Sequence, residues 1–357
     1  MKVARIHIEN FKRFRTLDIE VRNGLTEDIA DQLLLLGDNG TGKTTVLQAV
    51  ALCLSMAAGW TRSVEEFDWL GWVPGRYERW GEPKIDLEVH FTEDELNATQ
   101  EAADRWSQNR ENFVPPGSEK TVTLSLHGRR CFCKSRAQFF QFRGRLYASQ
   151  LLKTDYSARE LFDQLPGVFW FDQFRNLASP PVRMERDETE PVGRISYNVG
   201  VARLRRYLNS WQLSRMAGAT GKLDFLKELE NKYKIVFPGR SFSGPEPMYK
   251  GGVPTPEDYY FILSDGNRTY DIEEMSAGEQ AVLPILYEFV RQQIKNSVVL
   301  IDEIDLNLHP PLAQALLTAL PTIGPGCQFL LTTHSEAISS LVSPDEIFRL
   351  EGGRLCL

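Results

Sequence analysis

A lysine and two threonines, Lys43-Thr44-Thr45, close the run Gly37-Asp38-Asn39-Gly40-Thr41-Gly42 at the spacing G-x-x-x-x-G-K-[ST]. Glycines in such a loop expose backbone N–H groups that cradle phosphates, the lysine reaches the β and γ phosphates, and the following hydroxyl ligates Mg²⁺. Asn39, Gly40, Gly42, Lys43, Thr44 and Thr45 are therefore candidate phosphate-binding residues, with Thr44 also a metal ligand. A second device lies far downstream, where the apolar run Val298-Val299-Leu300-Ile301 ends in Asp302 and Glu303. Adjacent strand residues point to opposite sides, so one carboxylate is expected on Mg²⁺ and the other on an attacking water. A third is the turn Met275-Ser276-Ala277-Gly278-Glu279-Gln280. Ser276 can N-cap the next helix with Glu279 as its capping-box partner, and Ala277 and Gly278 leave the backbone open for a phosphate near the helix's positive end. Together the three devices describe a site for ATP and Mg²⁺.

These groups need elements to hold them. Residues 33–36 form an apolar run before the glycine loop, and residues 298–301 and 328–332 repeat the pattern, as strands buried on both faces of a parallel sheet do. Residues 2–9 alternate and read as an edge-forming strand, followed by a strand at 16–21. Residues 84–91 and 122–126 also alternate, the latter turning at His127-Gly128, which predicts an antiparallel β-subdomain. Thr92 and Glu95 supply a capping box for a helix to about residue 110. Residues 167–174 read as another buried strand and 179–193 as a linker rich in Pro, Glu and Arg. Helical periodicity follows at 199–216 and 222–233, with Leu204, Leu208 and Trp211 on one face and Arg203, Arg205, Arg206 and Arg215 largely off it, as a wet face would be. Residues 239–256 read as a Pro/Gly-rich loop, 259–263 and 268–272 as a hairpin, and 310–320 as a short helix. No sustained heptad occurs between Lys43 and Ser276, which argues against a long coiled-coil arm.

A chain of 357 residues with net charge −7 has the apolar and charged fractions of an ordinary soluble globule. Any nucleic-acid contact must come from local patches. One candidate spans residues 129–145, where Arg129, Arg130, Lys134, Arg136, Arg143 and Arg145 alternate with Phe132, Phe139, Phe140 and Phe142. Basic groups there could meet phosphates while rings stack on bases; the favoured reading is a phenylalanine core under a solvated basic face. The five cysteines show no zinc or C-x-x-C spacing, there is no secretory signal, and the apolar helix at 46–60 contains Gln48 and Ser55, all of which point to a cytoplasmic protein without a membrane span.

The opening I-x-I-E-N-F-K-R-F, the glycine loop, Ser-Ala-Gly-Glu-Gln at 276–280, Val-Val-Leu-Ile-Asp-Glu-Ile-Asp at 298–305, Leu308-His309-Pro310 and Leu-Leu-Thr-Thr-His-Ser at 330–335 together resemble the ABC-type ATPase heads of the RecF, SMC and OLD-nuclease group. They most resemble stand-alone bacterial ATPases often found in anti-phage operons. The resemblance implies an α/β P-loop NTPase head, a mixed sheet around a central helix with an antiparallel β-subdomain and an inserted helical lobe. It implies that Ser276 and Gly278 touch, in trans, the γ-phosphate held by Lys43 of a second subunit, so that two ATP molecules are sandwiched in a head-to-tail dimer. It further implies that Asp302 is the magnesium ligand, Glu303 the general base, Asp305 part of the D-loop and His334 the switch histidine. Gln173 is either the Q-loop residue that reaches the metal or a solvent-facing glutamine on a strand end. The expected divisions are 1–178, the core with phosphate loop and β-subdomain; 179–273, linker and lobe; and 274–357, the remainder of the core. Two roles stay open: an ATPase that holds or releases an effector protein encoded nearby, a nuclease or toxin, in anti-phage defence, and a RecF-like clamp on DNA in repair or replication. DNA or RNA is a further candidate partner in either.

Overall fold

The computed structural model describes residues 1–24, 27–67, 72–73, 75–107, 113–172, 197–218, 223–248 and 258–351. Gln173 and the linker expected at 179–193 lie outside them. Internal contacts divide the chain into two compact units whose limits do not coincide with the sequence-based divisions: Met1–Phe171, Gln293–Ile304 and Gly324–Leu357 in the first, and Asp172–Gln292 and Asp305–Ile323 in the second.

The first unit contains two kinds of strand, as the two sequence patterns require. Alternating segments β1 (Lys2–Phe11), β2 (Phe14–Glu20), β4 (Lys84–His90), β5 (Thr121–His127) and β6 (Arg130–Phe132) make an antiparallel sheet in the order β2-β1-β4-β5-β6. Here β1, expected at an edge, is paired on both sides. Its charged side chains pair along the sheet: Arg5 and His7 with Asp18, and Glu9 with Lys84. Continuously apolar segments β3 (Gln32–Leu36), β7 (Val168–Phe171), β11 (Val298–Ile301), β12 (Gln328–Thr333) and β13 (Ile347–Arg349) make a parallel sheet in the order β13-β3-β12-β11-β7. Because the strands are parallel, the chain leaves β3, β11 and β12 at the same edge.

Helix α1 (Lys43–Ala58) packs against β4, β5 and β6 of one sheet and β7 and β12 of the other. It is apolar all round, so it needs cover on every side, and Val46, Val50, Leu52, Cys53 and Leu54 disappear into the shared core. A smaller core gathers α2 (Glu93–Ser107), α4 (Gly144–Leu151) and a 3-10 turn, where Ala98, Ala102 and Ala148 let Tyr147 and Phe162 close in. The Thr92–Glu95 capping box forms in both directions at the start of α2. Short helices α3 (Arg136–Phe140) and α9 (Glu336–Ser339) complete this unit. Arg145, expected on a wet face, is buried: its guanidinium lies over Phe162 and Phe169 and donates to the carbonyls of Leu165 and Gln293.

The second unit holds α5 (Tyr197–Met216), α6 (Phe225–Val236), α7 (Ala277–Arg291), α8 (Pro310–Ile323) and an antiparallel sheet β10-β9-β8. In it β9 (Tyr259–Ser264) and β10 (Thr269–Asp271) are the expected hairpin. Strand β8 (Ser241–Pro247) was not expected, since it falls in the segment read as a Pro/Gly loop. It is an edge strand, where Pro245 and Pro247 are tolerated, and Gly244 at φ +100° sits at a break in register beside Phe242. Arg205 is another departure: instead of a wet face it is buried, donating to Asp271 at 2.5 Å and Glu273 at 3.0 Å. The longest described helix, α5, has 20 residues, so no long coiled-coil arm exists among the described residues, and no described helix is long and apolar enough to cross a membrane.

One side chain ties the two sheets of the first unit. Gln328, fully buried on β12, accepts from the Val3 N–H at 2.7 Å and donates to the carbonyls of Val3 and Ala30 at 2.9 Å each. Gln328→Leu would leave three buried backbone groups without that partner. Each costs about 1–3 kcal/mol, so the urea midpoint should fall by an amount equivalent to at least ~3 kcal/mol, as followed by circular dichroism.

Candidate nucleotide-binding site

The glycine loop leaves β3 at Gly37 and enters α1 at Lys43. Gly40 and Gly42 lie at φ +81° and +104°, a region that side chains avoid. Gly42 has a second reason to be glycine, since a Cβ there would fall 2.5 Å from the Phe14 ring and 2.6 Å from Arg13. The turn Asn10-Phe11-Lys12-Arg13-Phe14 therefore seats against the phosphate loop, and Arg13 and Phe14 are neighbours of the site that the spacing of motifs did not single out. No side chain caps α1 at Gly42, which leaves the positive end of the helix to an anion. Lys43 is buried and its ammonium donates to the Gly37 and Asp38 carbonyls at 2.6 and 3.0 Å, across the loop. Asn39 and Gly40 are exposed at the tip, and Thr45 is half-buried in the first helical turn.

Thr44 faces the carboxylate of Asp302 and donates to its two oxygens at 3.1 and 2.9 Å. Asp302 follows β11 and is only 2% exposed. From β12, paired in parallel register with Ile301 opposite Leu331, the Thr332 hydroxyl donates to Asp302 Oδ1 at 2.7 Å and accepts from the Glu303 N–H at 2.7 Å. Thr332 is a positioning residue that sequence reasoning missed; the available signal was a polar residue inside an otherwise apolar strand. Glu303 stands at φ +48°, a left-handed conformation that costs a non-glycine residue about 1–2 kcal/mol. The two carboxylates diverge because of this turn, not through the strand alternation expected for them. His334 follows the last residue of β12 and is exposed. Thus the structure brings the glycine loop, Asp302, Glu303 and His334 to one edge of one sheet, where parallel α/β folds bind ligands.

The residues fit Mg²⁺. One buried carboxylate beside a hydroxyl offers hard oxygen donors, and this ion commonly takes one or two carboxylates and completes its shell with phosphates and water. No group of three or more His, Cys, Asp or Glu forms a metal cluster among the described residues.

The second unit holds the Ser-Ala-Gly-Glu-Gln turn at the start of α7. Its capping box is complete: the Ser276 hydroxyl accepts from the Glu279 N–H at 3.3 Å, and Glu279 accepts from the Ser276 N–H at 3.0 Å and hydroxyl at 2.7 Å. Gly278 packs so closely that a Cβ would lie 2.6 Å from Leu312 of α8. Glu279 is 2% exposed and its other oxygen receives Tyr233 at 2.5 Å, Tyr270 at 2.6 Å and the Arg240 guanidinium. Burial alone would push this carboxyl up. Hydrogen bonds from Arg240, Tyr233, Tyr270 and Ser276 outweigh it and hold the group down at about 2. Arg240, Tyr233 and Tyr270 were invisible in the sequence because they come from α6, its following loop and the hairpin. Asp305 opens the segment leading to α8, its carbonyl accepting from the Leu308 N–H at 3.0 Å.

Two parallel-edge carboxylates behind a phosphate loop, in a unit pairing a parallel and an antiparallel sheet around α1, define an ABC-type P-loop ATPase fold. The whole chain is similar in fold to a solved SMC head, the SmcHead bound to the C-winged helix domain of ScpA, with a TM-score of 0.53 at 13% identity, covering 97% of this chain and 96% of that one. The family described as "AAA domain, putative AbiEii toxin, Type IV TA system" matches residues 156–340, and the one described as "AAA ATPase domain" matches residues 1–105. The chain belongs to the first of these, whose match spans just over half of it. Over 104 residues it is 31% identical to the Retron Ec83 probable ATPase of Escherichia coli, covering 26% of this chain and 19% of that protein. It is 30% identical over the same length to the Retron Vc95 probable ATPase of Vibrio cholerae serotype O1 biovar El Tor, covering 26% and 20%. The match thus spans about a fifth of the length of these curated relatives.

Two outcomes check this geometry. Thr332→Val keeps the side-chain outline but removes the donor to Asp302 and the acceptor for Glu303; a hydrogen bond to a charged group contributes about 1.5–3 kcal/mol, so Mg²⁺-dependent ATP turnover should drop at least about tenfold, alongside a loss of about 1–3 kcal/mol in unfolding free energy from the unpaired Glu303 N–H. For Glu279, the depressed carboxyl stabilises the fold fully above its ordinary value near 4.5, and this is lost as the pH falls toward 2. Wild type should therefore lose on the order of 3 kcal/mol more than Glu279→Gln between pH 4.5 and 2, read from urea unfolding at each pH.

Proposed function

We propose that this chain is an ATPase, that two copies of it close head-to-tail on ATP and Mg²⁺, and that the dimer holds or releases a separate effector protein in anti-phage defence. The observation that carries the ATPase reading is the convergence of Thr44 and Thr332 on the buried Asp302 at the strand edge beside Lys43. Thr44 and Asp302 would hold Mg²⁺, which supplies charge neutralisation at the β and γ phosphates. Lys43 turns from the loop carbonyls to the phosphates, and the α1 amides face the same anion. Glu303, turned away from Asp302 by its left-handed backbone, takes a proton from the attacking water in line with the departing phosphate. His334 borders that position at the end of β12. Ser276, oriented through Glu279, and Gly278, together with Asp305, would meet the γ-phosphate of the partner's nucleotide and so make closure dependent on ATP. The defence role and the effector rest on likeness to the retron ATPases, and a nuclease or toxin is the kind of partner expected.

Glu303→Gln should bind ATP without turnover and accumulate a dimer in native mass spectra, and adding Ser276→Arg should return it to monomer. A Glu303→Gln chain that turns ATP over normally, or that stays monomeric with ATP bound, would contradict the proposal.

A further inference from the structure

The basic and aromatic stretch at 129–145 folds into a cleft of about 330 Å³ on the first unit, lined by Cys131, Phe132, Arg136, Phe139, Phe140 and Arg143. The reading of a phenylalanine core under a solvated basic face holds in part: Arg130, Lys134 and Arg136 are exposed, while Phe132 and buried Arg145 depart from it. Phe142 is buried in the core and half-buried Phe139 packs against it. Phe132, on the edge strand β6, is 43% exposed, and its ring is set at 5.1 Å, edge-on, by the His127 ring. Arg143 lies 4.5 Å from the centre of the Phe140 ring and 5.4 Å from that of Phe139, while Arg136 lies 5.6 Å from Phe140. Ring faces and guanidinium groups therefore alternate along the cleft.

Arg129, one residue before the strand, is neutralised by Glu65 and Glu78, and Arg5, Arg22, Lys84 and Lys120 each have a carboxylate partner. Arg130, Lys134, Arg136 and Arg143 have none among the described residues. Burial depresses the Arg143 guanidinium, and the repulsion of Arg136 adds to this, so an anion between the two would relieve both. In a chain of net charge −7, a local cluster of cations without acids is matched by phosphates rather than by a neutral or basic surface.

The floor of the cleft is α1. Arg143 donates to the Ala57 carbonyl at 3.4 Å, and Cys131 donates through sulfur to the Cys53 carbonyl at 3.7 Å. Both carbonyls sit in the last turns of the helix that begins with Lys43, roughly 20 Å along its axis.

We propose that this cleft binds single-stranded nucleic acid, with one base stacked on Phe132 and its flanking phosphates on Arg136, Lys134 and Arg143. The size suits one nucleotide unit. The rings are useful only to an unpaired base, because a duplex keeps its bases stacked on each other; base-on-ring stacking with cations on the backbone is how strands are held without sequence readout. Seated there, the strand lies over the C-terminal turns of α1, the helix that begins at Lys43.

The test is fluorescence anisotropy with a labelled DNA oligonucleotide of about twelve nucleotides, single-stranded or annealed, added to the Lys43→Ala chain so that the nucleotide site contributes nothing. Phe132→Ala and Arg136→Glu alter exposed side chains, and circular dichroism verifies their folding. Phe132→Ala should weaken single-strand binding about tenfold at unchanged salt dependence. Arg136→Glu should weaken it as well and flatten the slope of log affinity against log salt by about 0.7 or more. Single-strand affinity unaffected by either change, a duplex bound equally well with Phe132 irrelevant, or no oligonucleotide binding at micromolar protein in low salt would each overturn the proposal.

Discussion

The buried carboxylate of Asp302 is the constraint to which the first unit answers. An ionised group out of water must be hydrogen-bonded, and the hydroxyls that reach it come from opposite sides: Thr44 from the first turn of α1 and Thr332 from β12. Satisfying both fixes the register of β11 against β12 and brings the phosphate loop to the end of β11. Once α1 starts there it must run between the two sheets, and its all-round apolar sequence is the consequence. Gln328 holds the antiparallel sheet to the same strand from which Thr332 projects, so the stability of the core and the geometry of the edge share β12.

The two central carboxylates are solved differently, and the difference is chemical. Asp302 is met by hydroxyls, weak donors that a divalent cation can displace or join. Glu279 is met by a guanidinium, two phenols and a serine, which saturate it and pin its charge. The first arrangement suits a ligand site and the second a fixed support. Glu279 acts through Ser276, orienting a hydroxyl at the start of α7, and Arg240 and the two tyrosines serve the same end from further back. Arg205 does comparable work one segment earlier, holding Asp271 and Glu273 just before the turn.

The cleft over the C-terminal end of α1 extends this logic, since that helix carries a phosphate loop at one end and an arginine on its Ala57 carbonyl at the other. Whether a basic residue serves a ligand or merely the fold depends on its partners: Arg129 is tied to two glutamates and Arg145 is sealed among phenylalanines, while Arg136 beside them has no acid among the described residues.

Local rules were enough to read the glycine loop, the capping boxes at Thr92 and Ser276, and the apolar strands that end in Asp302 and His334, because each depends on residues within a few positions of one another. Sheet order was not readable in this way: alternation marked β1 as a strand but not that β2 and β4 would flank it on both sides, and β8 looked like a loop because prolines are permitted only where no further strand pairs. Buried Arg205 and Arg145 were misread for the same reason, as a helix sequence says that an arginine is present and not whether a carboxylate or a ring waits opposite. Sequence alone thus determined the chemistry available, a phosphate loop and two carboxylates at strand ends, since those signals are local in the backbone. Tertiary structure alone decided which donors reach each carboxylate, Thr332 for Asp302 and Arg240 with two tyrosines for Glu279, because those contacts join segments far apart in the chain and exist only once it has packed.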